Sequence, residues 1–303
     1  MSRFLVVGAG AIGSRVARRL LEEGHEVHVV SRRGTDIAGA TSLRASASDE
    51  AAMRRAAQGT SAIFNCANPA YHRWPSEWPP IAASLLSAAE SSGATLVTLS
   101  NLYAYGHVDA PMTPDTPLNA DYAKALVRAR MWTDALAAHL SGRVQACEVR
   151  ASDYIGPGAQ GVFGLRVIPR LLAGKRAQVV GSLDQPHSWT FVDDVATTLV
   201  ACAQRPDAWG RVWHVPTNEP RTQRQVVNDI CAVAGVAPGR VSAVGEFALR
   251  AMGLFNVTIR ELPLTLYQFT QPFVIDDAIT RRELALSPTP WHEVLTETIA
   301  AYR

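Results

Sequence analysis

A doubly wound parallel α/β sheet is the fold class this sequence predicts, and three observations predict it. Short runs rich in Val, Leu and Ile alternate with longer Ala- and Arg-rich stretches whose apolar residues recur at three and four. The first run, Phe4 to Val7, ends in a cluster of glycines that opens the first helical stretch. Apolar residues make up 48% of the 303 and charged residues 18%, so enough surface can be buried to offset the entropy of ordering the chain. Continuous apolar runs of strand length suit a parallel sheet covered on both faces, because each strand is then buried on both sides.

Taken in order, strands are expected at Phe4 to Val7, Glu26 to Val30, Ala62 to Asn65, Thr95 to Ser100 and Val144 to Arg150. Helices are expected between them at Ala11 to Glu23, Glu50 to Gln58, Ile81 to Ser91 and Ala123 to Leu140, and a later one at Val195 to Gln204. His72, Trp74 and Trp78 fall in a stretch from Asn68-Pro69 to Pro79-Pro80 that reads as a proline-bearing loop, either an aromatic rim over a ligand or a packed Ω-loop. After Arg150 the texture changes. Gly156, Pro157, Gly158, Gly161 and Gly164 crowd together, and Pro216, Pro220, Pro238, Pro263, Pro272 and Pro288 break the rest of the chain into a more irregular region.

Composition excludes several classes of partner. Lys plus Arg number 29 against 27 Asp plus Glu, and a net charge of +2 does not mark a nucleic-acid or acidic-membrane binder. A small-molecule ligand is expected instead. The four cysteines, Cys66, Cys147, Cys202 and Cys231, are scattered without zinc-like spacing and read as buried reduced thiols, so no metal is expected. The start of the chain lacks the pattern of a secretory leader, and no window reaches the ~18 apolar residues of a membrane span, so a cytoplasmic protein is expected.

Gly8-Ala9-Gly10-Ala11-Ile12-Gly13 has the spacing GxGxxG, directly behind a strand and at the start of a helix. In that context Gly8 permits the tight turn, Gly10 lets backbone approach a pyrophosphate, and Gly13 lets helix lie close to strand. The helix N-terminus offers free N–H groups to the anion. Val30-Ser31-Arg32-Arg33 then closes the second strand with no carboxylate, placing a hydroxyl and two guanidinium groups where a 2′-phosphate would lie. The cofactor expected is therefore NADP(H), bound by Gly8, Gly10, Ala11, Ile12, Gly13, Ser31, Arg32, Arg33 and Ala67. Arg15, Arg18 and Arg19 on the first helix read as a solvated basic face.

These residues, with Leu99-Ser100-Asn101-Leu102-Tyr103-Ala104-Tyr105-Gly106, Arg150-Ala151-Ser152-Asp153-Tyr154-Ile155-Gly156-Pro157-Gly158 and Trp189-Thr190-Phe191-Val192-Asp193-Asp194-Val195-Ala196, resemble the extended short-chain dehydrogenase/reductases of the NAD-dependent epimerase/dehydratase-like group, in an atypical form. The resemblance implies a Rossmann doubly wound parallel sheet with a smaller C-terminal substrate-binding region. On that basis 1–155, completed by 186–218, form the NADP-binding part, and 156–185 with 219–303 the substrate part. By analogy with the family it also implies a homodimer through two sheet-covering helices.

Members of the group use a Ser or Thr, a Tyr and a Lys four residues after it, the Tyr as acid/base and the Lys holding the nicotinamide ribose. This chain departs from that set. Asn101 stands at the hydroxyl position, Lys124 at the lysine, and Ala120 where the tyrosine belongs. Tyr122 is two residues from Lys124, which on a helix turns the side chains about 200° apart unless the helix starts late. Three readings stay open. Tyr122 swings in from a loop; or Tyr103, Tyr105 or Asp153 supplies the proton; or the protein binds cofactor without turnover.

Asp153 falls where relatives place a substrate-contacting Asn, and it reads equally as a turn residue before Gly156-Pro157-Gly158. His187 falls where sugar-nucleotide epimerases place a phosphate-binding Arg, which argues against a nucleotide-sugar substrate. Asp193-Asp194 reads as helix capping. Glu261, Tyr267, Gln268 and Phe269 are candidates for the far wall. The function expected is an NADP(H)-dependent oxidoreductase reducing a small non-nucleotide carbonyl, enone or imine. The alternatives are a catalytically silent NADP-binding regulator and an epimerase or isomerase using the cofactor transiently.

Overall fold

The computed structural model describes residues 1–119 and 121–303. Its strands begin with β1 (Arg3–Val7), β2 (Glu26–Ser31), β3 (Thr41–Arg44), β4 (Ala62–Asn65), β5 (Thr95–Asn101) and β6 (Ala146–Ala151). They continue with β7 (Asp153–Ile155), β8 (Ala177–Val180), β9 (Trp189–Phe191), β10 (Val212–His214) and β11 (Val241–Val244). The helices that cover the sheet and build the crevice include α1 (Ala11–Glu22), α2 (Glu50–Ala56), α3 (Trp74–Ser92), α4 (Ala123–Leu140), α5 (Ile168–Leu172), α6 (Val192–Gln204), α7 (Gln223–Ala234), α8 (Glu246–Gly253) and α9 (Val257–Arg260).

Seven strands make one parallel sheet in the order β10-β6-β5-β4-β1-β2-β3. Chain order reverses between β1 and β4, so the crevice where ligands lie in such sheets opens at the C-terminal ends of these two strands. Alternation along β1 explains why both faces are covered. Phe4 and Val6 join Val16, Ala17 and Leu20 of α1 and Val195, Leu199 and Cys202 of α6, whereas Leu5 and Val7 join Met53 of α2, Trp78 and Leu85 of α3 and Met131 of α4. Outside this sheet β7 pairs with β9 and β8 with β11. All four cysteines are buried free thiols.

Two strands of the seven-stranded sheet escape the periodicity. β3 reads Thr41-Ser42-Leu43-Arg44, largely exposed at one sheet edge, and β10 is a three-residue piece at the other, each held by backbone pairing with its neighbour. The stretch 74–80 is helix and not loop. Trp74 and Trp78 are buried, at 5% and 0% exposure, and the Arg128 guanidinium lies over their rings at 4.6 and 4.1 Å, so packing holds a helix despite Pro79 and Pro80 inside it. His72, in the short turn before α3, is exposed. Asp193 and Asp194 occupy the first turn of α6, where acids suit the helix dipole. Asp194 also accepts from Thr289 N and Oγ1, and Asp193 pairs with Arg15 at 2.7 Å, so Arg15 is an inter-helix tie and not part of a solvated face.

Behind the C-terminal ends of β5, β6 and β10 lies a buried polar network. Arg150 Nε donates to Glu148 at 2.6 Å, its guanidinium faces the Tyr105 ring at 4.7 Å, and the Tyr105 hydroxyl meets His214 Nε2 at 2.8 Å. His214 Nδ1 lies 2.9 Å from the Asp276 carbonyl. A carbonyl only accepts, so Nδ1 carries the hydrogen and Nε2 accepts from Tyr105, which makes this histidine neutral. Burial pushes its pKa down to about 4.

A histidine with a folded-state pKa below its unfolded value stabilises the fold above the unfolded pKa and loses that contribution as pH falls toward the folded one. Between about pH 6.5 and pH 4 the chain is expected to lose roughly 3 kcal/mol through His214 beyond what its carboxylates cost. Urea midpoints measured across that range check this. The wild-type curve should fall more steeply than that of His214→Gln, and parallel curves would contradict the assignment.

Candidate active site

The crevice is a cleft of about 1760 Å³, larger than the roughly 300–1,000 Å³ of ordinary single-ligand pockets, with room for a dinucleotide and a second molecule. One end is the turn from β1 into α1. Gly8 has φ +105°, a region that favours glycine, and a Cβ there would lie 2.4 Å from the Cys66 carbonyl. A Cβ on Gly13 would lie 1.8 Å from the Gly8 oxygen, so only glycine lets α1 start this close to β1. Gly10 is different. Nothing lies within 4 Å of a Cβ built on it, the open space a close ligand needs.

The first turn of α1 carries no side-chain cap and no acidic residue. The orphan N–H groups and positive dipole end of α1 therefore remain available to an anion. Gly8, Gly10, Ala11, Ile12, Ser31, Arg32, Arg33 and Ala67 all line the cleft, while Gly13 packs beneath the turn. Arg32 and Arg33 are exposed and have no ion pair or hydrogen bond among the described residues. The Ser31 hydroxyl is engaged by Thr35, accepting its N–H at 2.8 Å. Thr35, Ser46 and Ser48 line this end too; with Ser/Thr so common in loops, nothing in the sequence singles them out. Uncapped amides, an open Gly10 and two free guanidinium groups fit a dinucleotide phosphate chain.

Toward the other end stand Asn101, Tyr103, Asp153 and Tyr71, the last of these missed because its turn reads as part of a proline-rich loop. Asn101 Oδ1 accepts the Tyr103 N–H at 3.2 Å, which leaves its amide N–H₂ as the donor for a ligand. Tyr71 donates its hydroxyl hydrogen to the Tyr103 oxygen at 3.3 Å. Burial raises the pKa of both phenols, that of Tyr103 far above its ordinary value, so both are neutral at pH 7.

The structure does not bring Tyr122 and Lys124 to the cleft wall. Helix α4 begins at Ala123, and Tyr122 is its extended N-cap residue, so the helix does start late. The Tyr122 hydroxyl nevertheless turns to that of Tyr267 at 3.3 Å. Lys124 is 3% exposed, ion-paired with Glu261 and covered by the Tyr71 ring at 4.2 Å. With its ammonium neutralised by a carboxylate, Lys124 does little to stabilise a tyrosinate, and burial drives Tyr122 far above the usual phenol range. Tyr105 is wholly buried against His214, outside the cleft. Ala120, the residue at the missing tyrosine's position, lies outside the described residues.

The far wall comes from β8, α8, α9 and the segment after them. Gln268 and Phe269 line it beside Val180, Leu249 and Leu262, whereas Glu261 and Tyr267 are taken up by Lys124 and Tyr122. His187 is buried, with Nδ1 3.0 Å from the Gln268 carbonyl and Nε2 2.9 Å from Asp153 Oδ2. Among the described residues no cluster of three or more His, Cys, Asp or Glu could hold a metal ion, and no helix is long and apolar enough to cross a membrane.

The model of the NAD dependent epimerase/dehydratase family matches residues 4–215, and the chain belongs to that family. No curated protein matches it significantly. Solved structures similar to it include the dTDP-glucose 4,6-dehydratase DesIV of Streptomyces venezuelae with NAD and TYD bound, 20% identical with a TM-score of 0.81 over 99% of this chain and 97% of that one. The UDP-glucose 4-epimerase of Thermotoga maritima with UDP-glucose is 18% identical, with a TM-score of 0.82 over 99% of this chain and 98% of that one. The dTDP-glucose 4,6-dehydratase of Bacillus anthracis in complex with NAD is 17% identical, with a TM-score of 0.81 over 100% and 96%. At such identities what is shared is the fold.

Gly10→Ala separates binding from folding at the turn. Its added Cβ meets no protein atom, so the thermal midpoint should stay within a degree or two, a ΔΔG inside about 0.5 kcal/mol. Affinity for a nicotinamide dinucleotide, read by fluorescence titration, should drop roughly tenfold or more where the backbone must approach the pyrophosphate.

Proposed function

We propose that this chain is a nicotinamide-dinucleotide-dependent enzyme of the epimerase type, using NADP(H) on a small hydroxyl- or carbonyl-bearing substrate without a nucleotide diphosphate. The observation that carries the reading is one continuous cleft joining an uncapped helix N-terminus and two unpaired arginines to Asn101, Tyr103 and Asp153. Family membership favours reversible oxidation of a carbinol over one-way reduction of a small carbonyl.

The cofactor, when bound, supplies the hydride acceptor and donor. The amides of Gly10, Ala11 and Ile12 would meet its pyrophosphate, and Arg32 and Arg33 its extra phosphate. Asn101 would orient the substrate oxygen through its free amide N–H₂. Tyr71 and Tyr103, neutral and packed against Trp74, would exclude water. The substrate end carries the Asp153 carboxyl, and the imidazole beside it is tied to a backbone carbonyl, an arrangement that disfavours a diphosphate. Lys124 would support the site from behind by holding Tyr71 and Glu261.

Net reduction with NADPH is the second reading, favoured by the missing acid at Ser31-Arg32-Arg33. One assay distinguishes them. The protein is incubated with a panel of sugars, polyols and hydroxy acids and catalytic NADP⁺, and with the matching carbonyl compounds and NADPH. An epimer detected by NMR without change in cofactor absorbance supports the first reading; stoichiometric NADPH loss supports the second; neither product with any compound in the presence of bound cofactor counts against both. Arg32→Ala should weaken NADPH roughly tenfold to a hundredfold more than NADH, and equal losses would refute the phosphate assignment.

A further inference from the structure

Two buried histidines in this chain share one hydrogen-bond pattern and differ in a single partner. Both His214 and His187 place Nδ1 against a backbone carbonyl, at 2.9 Å from Asp276 and 3.0 Å from Gln268. Each Nδ1 must therefore carry a hydrogen. At Nε2 His214 meets the Tyr105 hydroxyl, which can donate, so the neutral ring is satisfied. At Nε2 His187 meets a carboxylate oxygen of Asp153 at 2.9 Å.

An ionised carboxylate only accepts, and the bare Nε2 of a neutral ring also only accepts, so the two lone pairs cannot face each other at this distance without a proton between them. Either Asp153 is protonated and donates to the ring, or the ring is an imidazolium donating to the carboxylate. Both states contain one proton more than a carboxylate and a neutral imidazole together hold.

From this geometry we infer that Asp153 and His187 hold one proton between them and act as the acid/base group of the cleft, in the place of the absent tyrosine. The inference rests on the epimerase-type reading for its chemical role but not for the proton itself. His187 is 1% exposed, stacked on Phe269 at 4.9 Å and Phe273 at 5.3 Å with Trp189 at 4.8 Å, so its ring cannot turn away from Asp153. Asp153 keeps 33% of its side chain exposed and lines the cleft. The ionisable groups that sense Asp153 are the phenols Tyr71, Tyr103 and Tyr154, each pushed up by burial and so uncharged near neutrality. No cation stands within ion-pairing distance of Asp153 other than His187 itself, among the described residues.

The step balances. As hydride reaches a carbonyl carbon and its C=O π bond breaks, the pair's proton passes to the oxygen, leaving a carboxylate against a neutral ring, which regains a proton from water. In the reverse direction the pair first yields its proton to water, and Asp153 then removes the hydroxyl proton as hydride leaves the same carbon. His187 positions and charges Asp153 without touching substrate, and Asp153 is the group that does.

The wild-type protein tests this without a substrate. At pH 7.5 the ¹⁵Nε2 resonance of His187 and the ¹³Cγ resonance of Asp153 are read together by NMR. The inference expects at least one of them to report a protonated group, and Asp153→Asn to leave His187 Nε2 with the shift of a neutral ring. A bare Nε2 alongside an ionised Asp153 overturns it. On whichever compound of the sugar, polyol and hydroxy-acid panel is turned over, Asp153→Asn should lower turnover at least ~100-fold while NADPH affinity, by fluorescence titration, stays within about twofold. His187→Gln should shift the pH profile of turnover. Turnover retained by Asp153→Asn overturns the catalytic role, whereas a wild-type protein that binds no NADPH defeats the epimerase-type reading and leaves the NMR result standing.

Discussion

The room left by one hydrogen atom at Gly13 organises the molecule. Its missing Cβ would lie 1.8 Å from the Gly8 oxygen, so α1 can begin directly against the end of β1 only because no side chain is there. That contact sets the position of α1 on the sheet, its packing on α6 through Val16, Leu20 and Leu199, and the direction in which its first amides point. A helix that starts there uncapped, with no acid in its first turn, leaves its positive end facing the crevice between β1 and β4. The positive end of the cleft is thus a consequence of close packing, and the arginines after β2 extend a field that backbone has already set.

Charge is arranged differently at the other end. Phenols dominate it, and burial keeps them neutral. The one lysine that the family pattern would direct at the cofactor is compensated by Glu261 and roofed by Tyr71. With Lys124 so compensated, we place the acid/base role on the Asp153 carboxyl and the ring behind it. His214 makes the comparison instructive: the same imidazole geometry, given a hydroxyl partner instead of a carboxylate, becomes an inert structural neutral.

Much of the sheet was legible because its signals are local. The strands β1, β2, β4, β5 and β6 and the helices α1 and α4 stand close to where the apolar pattern puts them, since each is held by burial of its own apolar residues. The edges β3 and β10 were not, because an edge strand is held by its neighbour's backbone groups and needs no apolar pattern of its own. The start of α3 reads as loop, since prolines in sequence speak for a break, while Arg128, distant in sequence, packs over Trp74 and Trp78 and holds the helix together. At the cleft, the place of the Gly8 to Gly13 turn and of Arg32 was readable from spacing; Tyr71 and the partners of Lys124 and His187 were not, as each is joined to its neighbour across long loops.

By itself the sequence determined the class of fold, the glycine-built crossover from the first strand into the first helix and the absence of a carboxylate after the second strand, because each depends on residues adjacent in the chain and on backbone freedom that only glycine has. Only the tertiary structure decided which ionisable groups share a solvent-facing wall and which neutralise one another out of reach. Asp153 meets His187, and Lys124 meets Glu261, across 34 and 137 residues. A proton's residence is set by the nearest partner in space, and at those separations no spacing rule fixes which partner that is.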